Sequence, residues 1–207
     1  GALRRGIDVL DTDEAAATKY LSPRLLRELK PVCAVLTSAA TLTSCLQSSD
    51  GTQKLLLTLY DGLSVECVLI PISGKHTSLC VSSQVGCSRA CAFCSTGTMG
   101  LVRSLTTEEI CHQVWRALRI VREQGLPPLV NVVFMGMGEP LNNLDAVTRT
   151  VDQLVSPQAF ALSRRNVCVS TVGPSPELIA RAGKQLPCRL AWSVHAADDT
   201  LRKLLVP

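Results

Sequence analysis

The stretch Gly86-Cys87-Ser88-Arg89-Ala90-Cys91-Ala92-Phe93-Cys94 decides both the fold class and the chemistry of this chain. It places three cysteines on one loop in the spacing C-x3-C-x2-C. Three thiolates on so short a loop can converge on one metal centre, and iron–sulfur clusters are usually held by four cysteines. A cluster held by three would keep one iron open for direct binding of a substrate. The spacing therefore predicts a cluster site at Cys87, Cys91 and Cys94.

Two other interpretations of these cysteines remain open. A structural zinc site would need a fourth ligand such as Cys80, Cys111 or His112, and structural zinc sites usually show paired ligand spacings. The cysteines could also be unrelated residues of the core, because free cysteine is often buried. The close, uneven spacing favours the cluster over both.

The composition of the 207 residues excludes several classes of protein. Hydrophobic residues make up 46% and charged residues 18%, which excludes general disorder, and no apolar run is long enough for a spanning helix, so no membrane partner is expected. The net charge of +4 suits RNA phosphate without demanding it. Aromatic residues make up only 3%, which argues against an aromatic-lined platform for sugars or single strands. Ten cysteines, mostly within apolar runs, indicate a reducing compartment rather than a disulfide scaffold.

The first part of the chain, residues 1–72, is predicted to be a small α+β accessory domain. Residues 1–32 are polar and helical in pattern, with an apolar stripe at Leu25, Leu26 and Leu29. An antiparallel meander follows, because turn signals at Asp50-Gly51 and Asp61-Gly62 separate strand-like runs. The runs are 41–47, 53–60 and 63–70, and residues 71–75 are predicted to be a linker.

The second part, residues 73–207, alternates strands with helices, which predicts a parallel α/β fold. The strands are apolar throughout, which indicates burial on both faces. Thr106, followed by Glu109, is a capping signal for the first helix. The strand-like runs are 78–83, 129–135, 166–171 and 189–195, and the helical ones are 106–124, 144–155, 176–182 and a start at 199.

Segments on both sides of the cysteines resemble one enzyme family, the RlmN-type ribosomal RNA adenine C2-methyltransferases of the radical S-adenosylmethionine (SAM) superfamily. The resemblance extends over roughly residues 24–207. The segments that carry it are Leu79–Cys87, Cys94–Gly97 and Asn131–Leu141, together with Ser49–Thr52 and Val65–Val68 in the accessory domain.

The resemblance implies a partial (β/α)6 radical SAM barrel of about four β/α units, with its site at the carboxyl ends of the strands. It also implies two cofactors. Cys87, Cys91 and Cys94 would hold a [4Fe-4S] cluster, and the amino and carboxylate groups of SAM would bind its open iron. An electron from the cluster would cleave the SAM sulfonium, so the cofactors carry the difficult chemistry and the protein positions them.

The same resemblance assigns a SAM pocket. Gly138 and Glu139, within Gly136-Met137-Gly138-Glu139-Pro140, would contact the amino group of SAM. Other interpretations are a tight turn with a solvated Glu139, and strand-end serines that cap the backbone. His195 alone could equally be a hydrogen-bonded core histidine. The other pocket residues implied are Ser170, Ser193, Val194 and His195.

Two residues are catalytic by resemblance. Glu66 would accept a proton, and Cys80 would form the disulfide that releases the enzyme from its covalent adduct with RNA. Thiol exchange needs a thiolate, so a lowered pKa is expected for Cys80. The alternatives are an exposed strand carboxylate and a buried strand cysteine. Arg103 is expected to be an RNA or structural contact, and Arg164-Arg165 a solvated pair that could touch phosphate.

The function implied is methylation of adenine C2 in 23S-type rRNA, and in tRNA for some family members. The alternatives are a Cfr-type enzyme that methylates adenine C8, and a noncatalytic iron–sulfur or zinc module that binds RNA. The methyl-acceptor cysteine of the family is expected beyond residue 207, so this polypeptide alone is not expected to methylate RNA. A monomer, reduced by flavodoxin or ferredoxin in the cytoplasm or an organelle, is also expected.

Overall fold

The computed structural model describes residues 22–24, 27 and 39–207. Most of the predicted amino-terminal helical segment, with Leu25, Leu26 and Leu29, lies outside these residues.

A seven-stranded sheet organises the described residues, in the order β1-β2-β3-β4-β7-β8-β9. The pairs from β1 to β4 are antiparallel, and β4, β7, β8 and β9 are parallel. The predicted meander and the predicted parallel α/β unit are both confirmed. The strands are β1 (Ala40–Gln47), β2 (Gln53–Leu59), β3 (Ser64–Ile72), β4 (His76–Cys80), β5 (Gln84–Gly86), β6 (Leu101–Ser104), β7 (Leu129–Phe134), β8 (Val167–Thr171) and β9 (Arg189–Trp192).

The segment predicted to be a linker is a hairpin turn. β3 and β4 pair from Val68 opposite Cys80 to Ile72 opposite His76, and the turn between them uses positive φ at Ser73 and Gly74. The meander therefore continues into the parallel sheet without an intervening linker. The division of the chain into domains at residues 72 and 73 stays a prediction.

Four α-helices lie in the second part of the chain, at the predicted places, and none of the described helices is long and apolar enough to cross a membrane. Thr106 and Glu109 form the predicted capping box, in which each side chain accepts from the other residue's backbone N–H. The helices are α1 (Thr107–Glu123), α2 (Leu144–Val155), α3 (Pro176–Gln185) and α4 (Asp199–Leu205).

The core lies on one face of the sheet. In β8, Val167 and Val169 are fully buried with the helix residues, whereas Cys168 and Ser170 on the opposite face are only half-buried. Burial on both faces, as predicted from the apolar sequence, is therefore wrong. The half-buried face carries the polar side chains of the site, and we call it the inner face.

A small hairpin of β5 and β6, not predicted from the sequence, frames the cysteine loop. Gly86 has a φ of 75°, and a Cβ atom there would overlap the carbonyl oxygen of Gly100. Only glycine allows this approach, which brings the two ends of the loop together.

Candidate functional site

The cysteine loop is held in place at both ends. The Cys87 N–H donates to the carbonyl of Gly100 (2.9 Å), which closes the β5–β6 hairpin beneath the loop. The Ala92 N–H donates to the carbonyl of Leu205 (2.9 Å), at the end of α4. The loop is thus positioned by its own hairpin and by a helix more than 100 residues later in the chain.

The three thiols of the loop are electrostatically coupled. Burial raises the pKa of Cys87 and Cys91, and the neighbouring thiol of Cys94 raises both further. Three thiolates this close repel one another, and a cationic iron–sulfur core would relieve that repulsion, so the donor set fits such a cluster. Within the described part of the chain, no group of three His, Cys, Asp or Glu side chains is arranged to hold a metal ion. The assignment therefore rests on the spacing and coupling of the cysteines.

Glu139 joins the loop after β7 to the end of β8. Its side chain is 3% exposed, and its carboxylate accepts from the Leu141 N–H (2.9 Å), the Thr171 hydroxyl (2.7 Å) and the Val172 N–H (3.0 Å). The alternative of a solvated glutamate is wrong. A carboxylate has about four lone-pair sites, so one remains for a further donor such as an ammonium group. Glu139 also raises the pKa of Cys87, which places it beside the cysteine loop.

The glycines before Glu139 are required by close packing within the protein. Gly138 has a φ of 96°, and a Cβ atom there would lie 2.5 Å from the Cβ of Gln84. A Cβ atom at Gly136 would lie 2.7 Å from the hydroxyl of Ser82. The loop therefore lies directly against residues 81–84, with the Met137 carbonyl accepting from two of their N–H groups.

Ser170 and Ser193 meet at the ends of β8 and β9. Their hydroxyls lie 3.0 Å apart, and the Ser193 N–H donates to the Thr171 carbonyl (2.8 Å). Both side chains are half-buried on the inner face. The two serines hydrogen-bond to each other, so the structure places these two predicted pocket residues together.

His195 turns towards the cysteine loop. β9 ends at Trp192, three residues earlier than predicted, and His195 has a φ of 64°. Its ring centroid lies 4.6 Å from that of Phe93, the residue before Cys94. Two-residue alternation along the predicted strand puts Trp192 and Val194 on the face opposite Ser193 and His195, beneath helices, but they are 60% and 38% exposed.

Glu66 belongs to the meander, but its backbone contacts Met137, in the glycine loop (residues 136–138), and Ser82, which packs against that loop. Its carboxylate lies 2.9 Å from the ammonium of Lys54. Its backbone N–H donates to Sδ of Met137 (3.4 Å), and its carbonyl accepts from the hydroxyl of Ser82 (2.5 Å). These contacts place Glu66 at the edge of the same site, with its side chain half-exposed on the inner face.

Cys80 ends β4 on the inner face, opposite Val68. Glu66 is therefore its diagonal neighbour, a relation that in antiparallel strands corresponds to about 7–8 Å. Burial raises the pKa of the Cys80 thiol, and the backbone N–H of Met135 lowers it by a smaller amount. The expected lowering of this pKa is wrong, because Cys80 has lost more hydration than its partners replace.

Arg103 is a structural contact between the two parts of the chain. Its guanidinium donates two bonds to the buried carboxylate of Glu109 (2.9 and 2.8 Å) and one to Asp61 (2.7 Å), in the turn between β2 and β3. Arg164 and Arg165 immediately precede β8. They lie at the amino end of the parallel strands, whereas the cysteine loop and Glu139 follow the carboxyl ends.

Sequence reasoning missed three residues that shape this site. Thr171 alternates onto the core face of β8, and nothing in the strand pattern indicates its bond to Glu139. Lys54 could have been found by counting back through the Asp61-Gly62 turn, which sets Leu56 opposite Glu66. Met137 gives no such signal, because its contact with Glu66 depends on the tertiary fold.

Known proteins resemble this chain in sequence and in fold. The family described as the Radical SAM superfamily matches residues 81–206. A "Dual-specificity RNA methyltransferase RlmN" of Phenylobacterium zucineum is 46% identical over 183 residues, which cover 86% of this chain and 47% of the relative. The protein of the same name in Geobacter sulfurreducens is 48% identical over 160 residues, which cover 77% of this chain and 42% of the relative.

A solved structure, described as a radical SAM methyltransferase from Sphaerobacter thermophilus, superposes with a TM-score of 0.80 at 38% identity. The match covers 95% of this chain and 57% of that one. The chain thus spans about half the length of the curated relatives it matches.

Proposed function

Because the chain belongs to the radical SAM superfamily, and its sequence is of the RlmN type, we propose that it supplies the cluster- and SAM-binding part of an RNA adenine methyltransferase. One observation carries this proposal. The cysteine loop lies beside Glu139 on one side and touches His195 through Phe93 on the other. Residues that follow β7 and β9 thus lie against a loop that suits a cluster.

In this proposal Cys87, Cys91 and Cys94 hold a [4Fe-4S] cluster, which when bound supplies the electron that cleaves the SAM sulfonium. Glu139 offers its remaining lone pair to the ammonium of SAM, because its other acceptor sites are already used by the protein. Ser170 and Ser193 present hydroxyls on the inner face for the polar groups of SAM.

Glu66 is proposed to accept the proton that leaves the adenine ring. Its backbone contacts to Ser82 and Met137 fix its position relative to the glycine loop. Lys54 holds the carboxylate in one orientation, and as a half-exposed pair this contact contributes little to stability. The pair therefore orients Glu66 rather than stabilising the fold.

Cys80 is proposed to attack the enzyme sulfur that is bound to the RNA, so that a disulfide forms, the bond from that sulfur to the RNA carbon breaks, and its electron pair stays with the RNA. Only the thiolate attacks, and burial raises the pKa of this thiol. A base must therefore remove the proton of Cys80 when it reacts.

The proposed substrate is an adenosine of large-subunit rRNA, and of tRNA, methylated at C2. The names of the RlmN relatives support RNA methylation with two specificities. Flavodoxin or ferredoxin is the proposed electron donor.

The test is anaerobic reconstitution with iron and sulfide, followed by reduction in the presence of labelled SAM, rRNA and tRNA. Reductive cleavage of SAM is the result expected of this chain, and 2-methyladenosine in the digested RNA is the product expected of a protein with the full length of the RlmN relatives. Labelled 8-methyladenosine would contradict the C2 position. A protein that binds zinc, stays colourless and leaves SAM intact would overturn the proposal in favour of an RNA-binding module.

A further inference from the structure

The exposed aromatic side chains of the described residues lie towards one end of the sheet. Trp115, Phe134 and Phe160 are buried, whereas Tyr60, Phe93 and Trp192 are exposed. Phe93 belongs to the cysteine loop, and Trp192 ends β9. Tyr60 is the most exposed of the three, at 76%, and the site already described does not use it.

Tyr60 stands at the tip of the β2–β3 hairpin, which extends past the carboxyl end of β4. β3 runs antiparallel to β4 with Val68 opposite Cys80, so the earlier residues of β3 and the turn before them lie beyond Cys80. The hairpin tip therefore projects on the side where the cysteine loop and Glu139 are found.

The fold does not need an aromatic residue at this position. The turn is closed by the bonds of Leu59 with Leu63 and Gly62, and Gly62 supplies the positive φ. The Asp61 carboxylate also accepts from the Leu63 N–H (3.1 Å). The Tyr60 side chain takes part in none of these turn bonds and is 76% exposed.

One face of the Tyr60 ring is supported by a fixed cation. The guanidinium of Arg103 lies 5.7 Å from the ring centroid, and Glu109 and Asp61 hold that guanidinium in place. In β6, Arg103 pairs with Val85, and Leu101, which is 44% exposed, pairs with Gly86 next to the first cysteine. The strand that carries Arg103 thus begins beside the cysteine loop and supports Tyr60 further along.

We propose that Tyr60, supported by Arg103, is a stacking platform for an unpaired base of the RNA that enters the site. This inference rests on the proposed function, because it assigns a contact to that RNA. Unpaired RNA bases are recognised chiefly by stacking on aromatic side chains and guanidinium planes. Arg103 is neutralised by Asp61 and Glu109, so the contact works through the ring rather than through phosphate charge. Half-exposed hydroxyls of Thr58 and Ser64 flank the turn and suit the RNA sugar and phosphate groups.

The test uses the reconstituted protein and an RNA hairpin whose loop carries 2-aminopurine, a base whose fluorescence falls when it stacks. Wild-type protein should quench the probe, and Tyr60→Ala should remove the quenching and weaken binding by about 5- to 100-fold. Tyr60→Trp should restore both. Leu46→Ala, at a 61% exposed residue near the far end of β1, is the matched control and should bind like wild type.

Each outcome separates this inference from the proposed function. If Tyr60→Ala quenches and binds like wild type while SAM cleavage is intact, the platform is wrong and the enzyme assignment stands. If Tyr60→Trp fails to restore quenching, an aromatic stacking role is wrong. If wild-type protein binds no RNA, both the platform and the choice of RNA as substrate are contradicted, whereas SAM cleavage still tests the cofactor site separately.

Discussion

The hydroxyl of Thr171 donates to the buried carboxylate of Glu139 across 2.7 Å, and this bond joins the ends of two neighbouring parallel strands. The Val172 N–H adds a second bond from the same strand end. Glu139 therefore has two uses for its carboxylate. It joins the loop after β7 to the end of β8, and one of its acceptor sites is left without a partner in the protein's hydrogen bonds.

Replacing Glu139 with glutamine should destabilise the protein by about 1–3 kcal/mol, because an amide NH2 would face an N–H donor in a buried place. Chemical denaturation of the apoprotein measures this loss. Asp152→Asn, at an exposed acid of α2, is the control and should change the free energy of unfolding by less than about 0.5 kcal/mol. Equal stability of Glu139→Gln and wild type would contradict the structural role.

Replacing Gly138 with alanine should cost more than a positive φ alone. The new Cβ atom would lie 2.5 Å from the Cβ of Gln84, and overpacking of this kind costs about 1–3 kcal/mol in addition to the backbone strain. Gly74→Ala is a matched control, because Gly74 also has a positive φ but no atom within 4 Å of the new Cβ. Denaturation curves of the two variants should differ, and equal losses would show that packing against Gln84 is unimportant.

Replacing Arg103 with lysine should loosen the meander from the second part of the chain. Lysine cannot make the two-bond contact with Glu109, whose side chain is 2% exposed, so one buried acceptor is left without its partner. A loss of about 1–3 kcal/mol is expected on denaturation. The exposed Arg149 donates to the half-exposed Thr107, and Arg149→Lys should be nearly silent. If the two variants are equally stable, the contacts of Arg103 do not hold the meander to the second part of the chain.

Alkylation of Cys80 should need a higher pH than alkylation of a cysteine in an unfolded peptide. Burial raises the pKa of this thiol, so the reactive thiolate forms only as the pH rises above the ordinary value. The free energy of unfolding should fall as the pH rises from the unfolded pKa through the raised pKa, because the neutral thiol is favoured in the folded state and the thiolate in the unfolded state. Rates of iodoacetamide labelling at Cys80, followed by peptide mass spectrometry from pH 7 to 10, test this. A profile centred below that of the peptide would contradict it.

The sequence predicts the elements of the fold well and the contacts between them poorly. The meander, the parallel strands and the cap at Thr106 follow from turn residues, periodicity and a local capping pair, which are all short-range signals. The hairpin around the cysteines was missed because β5 and β6 are very short and are separated by the loop itself. The bonds of Glu139 were missed because they join strand ends more than 30 residues apart.

The positions of Lys54 and Cys80 show the same limit at the site. The register that puts Lys54 near Glu66 could be counted from the turn, but their ion pair depends on side-chain directions. The raised pKa of Cys80 depends on how deeply β4 is covered, which alternation cannot give. The identity of a residue thus predicts which chemistry it can take part in, and its burial decides whether its pKa is raised or lowered.

The most direct test of the account is electron paramagnetic resonance of the anaerobically reconstituted and reduced protein, with and without SAM. We expect iron and sulfide in the ratio of a [4Fe-4S] cluster, and a reduced-cluster signal that changes when SAM is added. Cys91→Ser should lose the signal, whereas Cys111→Ser, at a buried cysteine of α1, should keep it. A cluster that forms equally well in Cys91→Ser, or a signal that SAM leaves unchanged, would contradict the central claim.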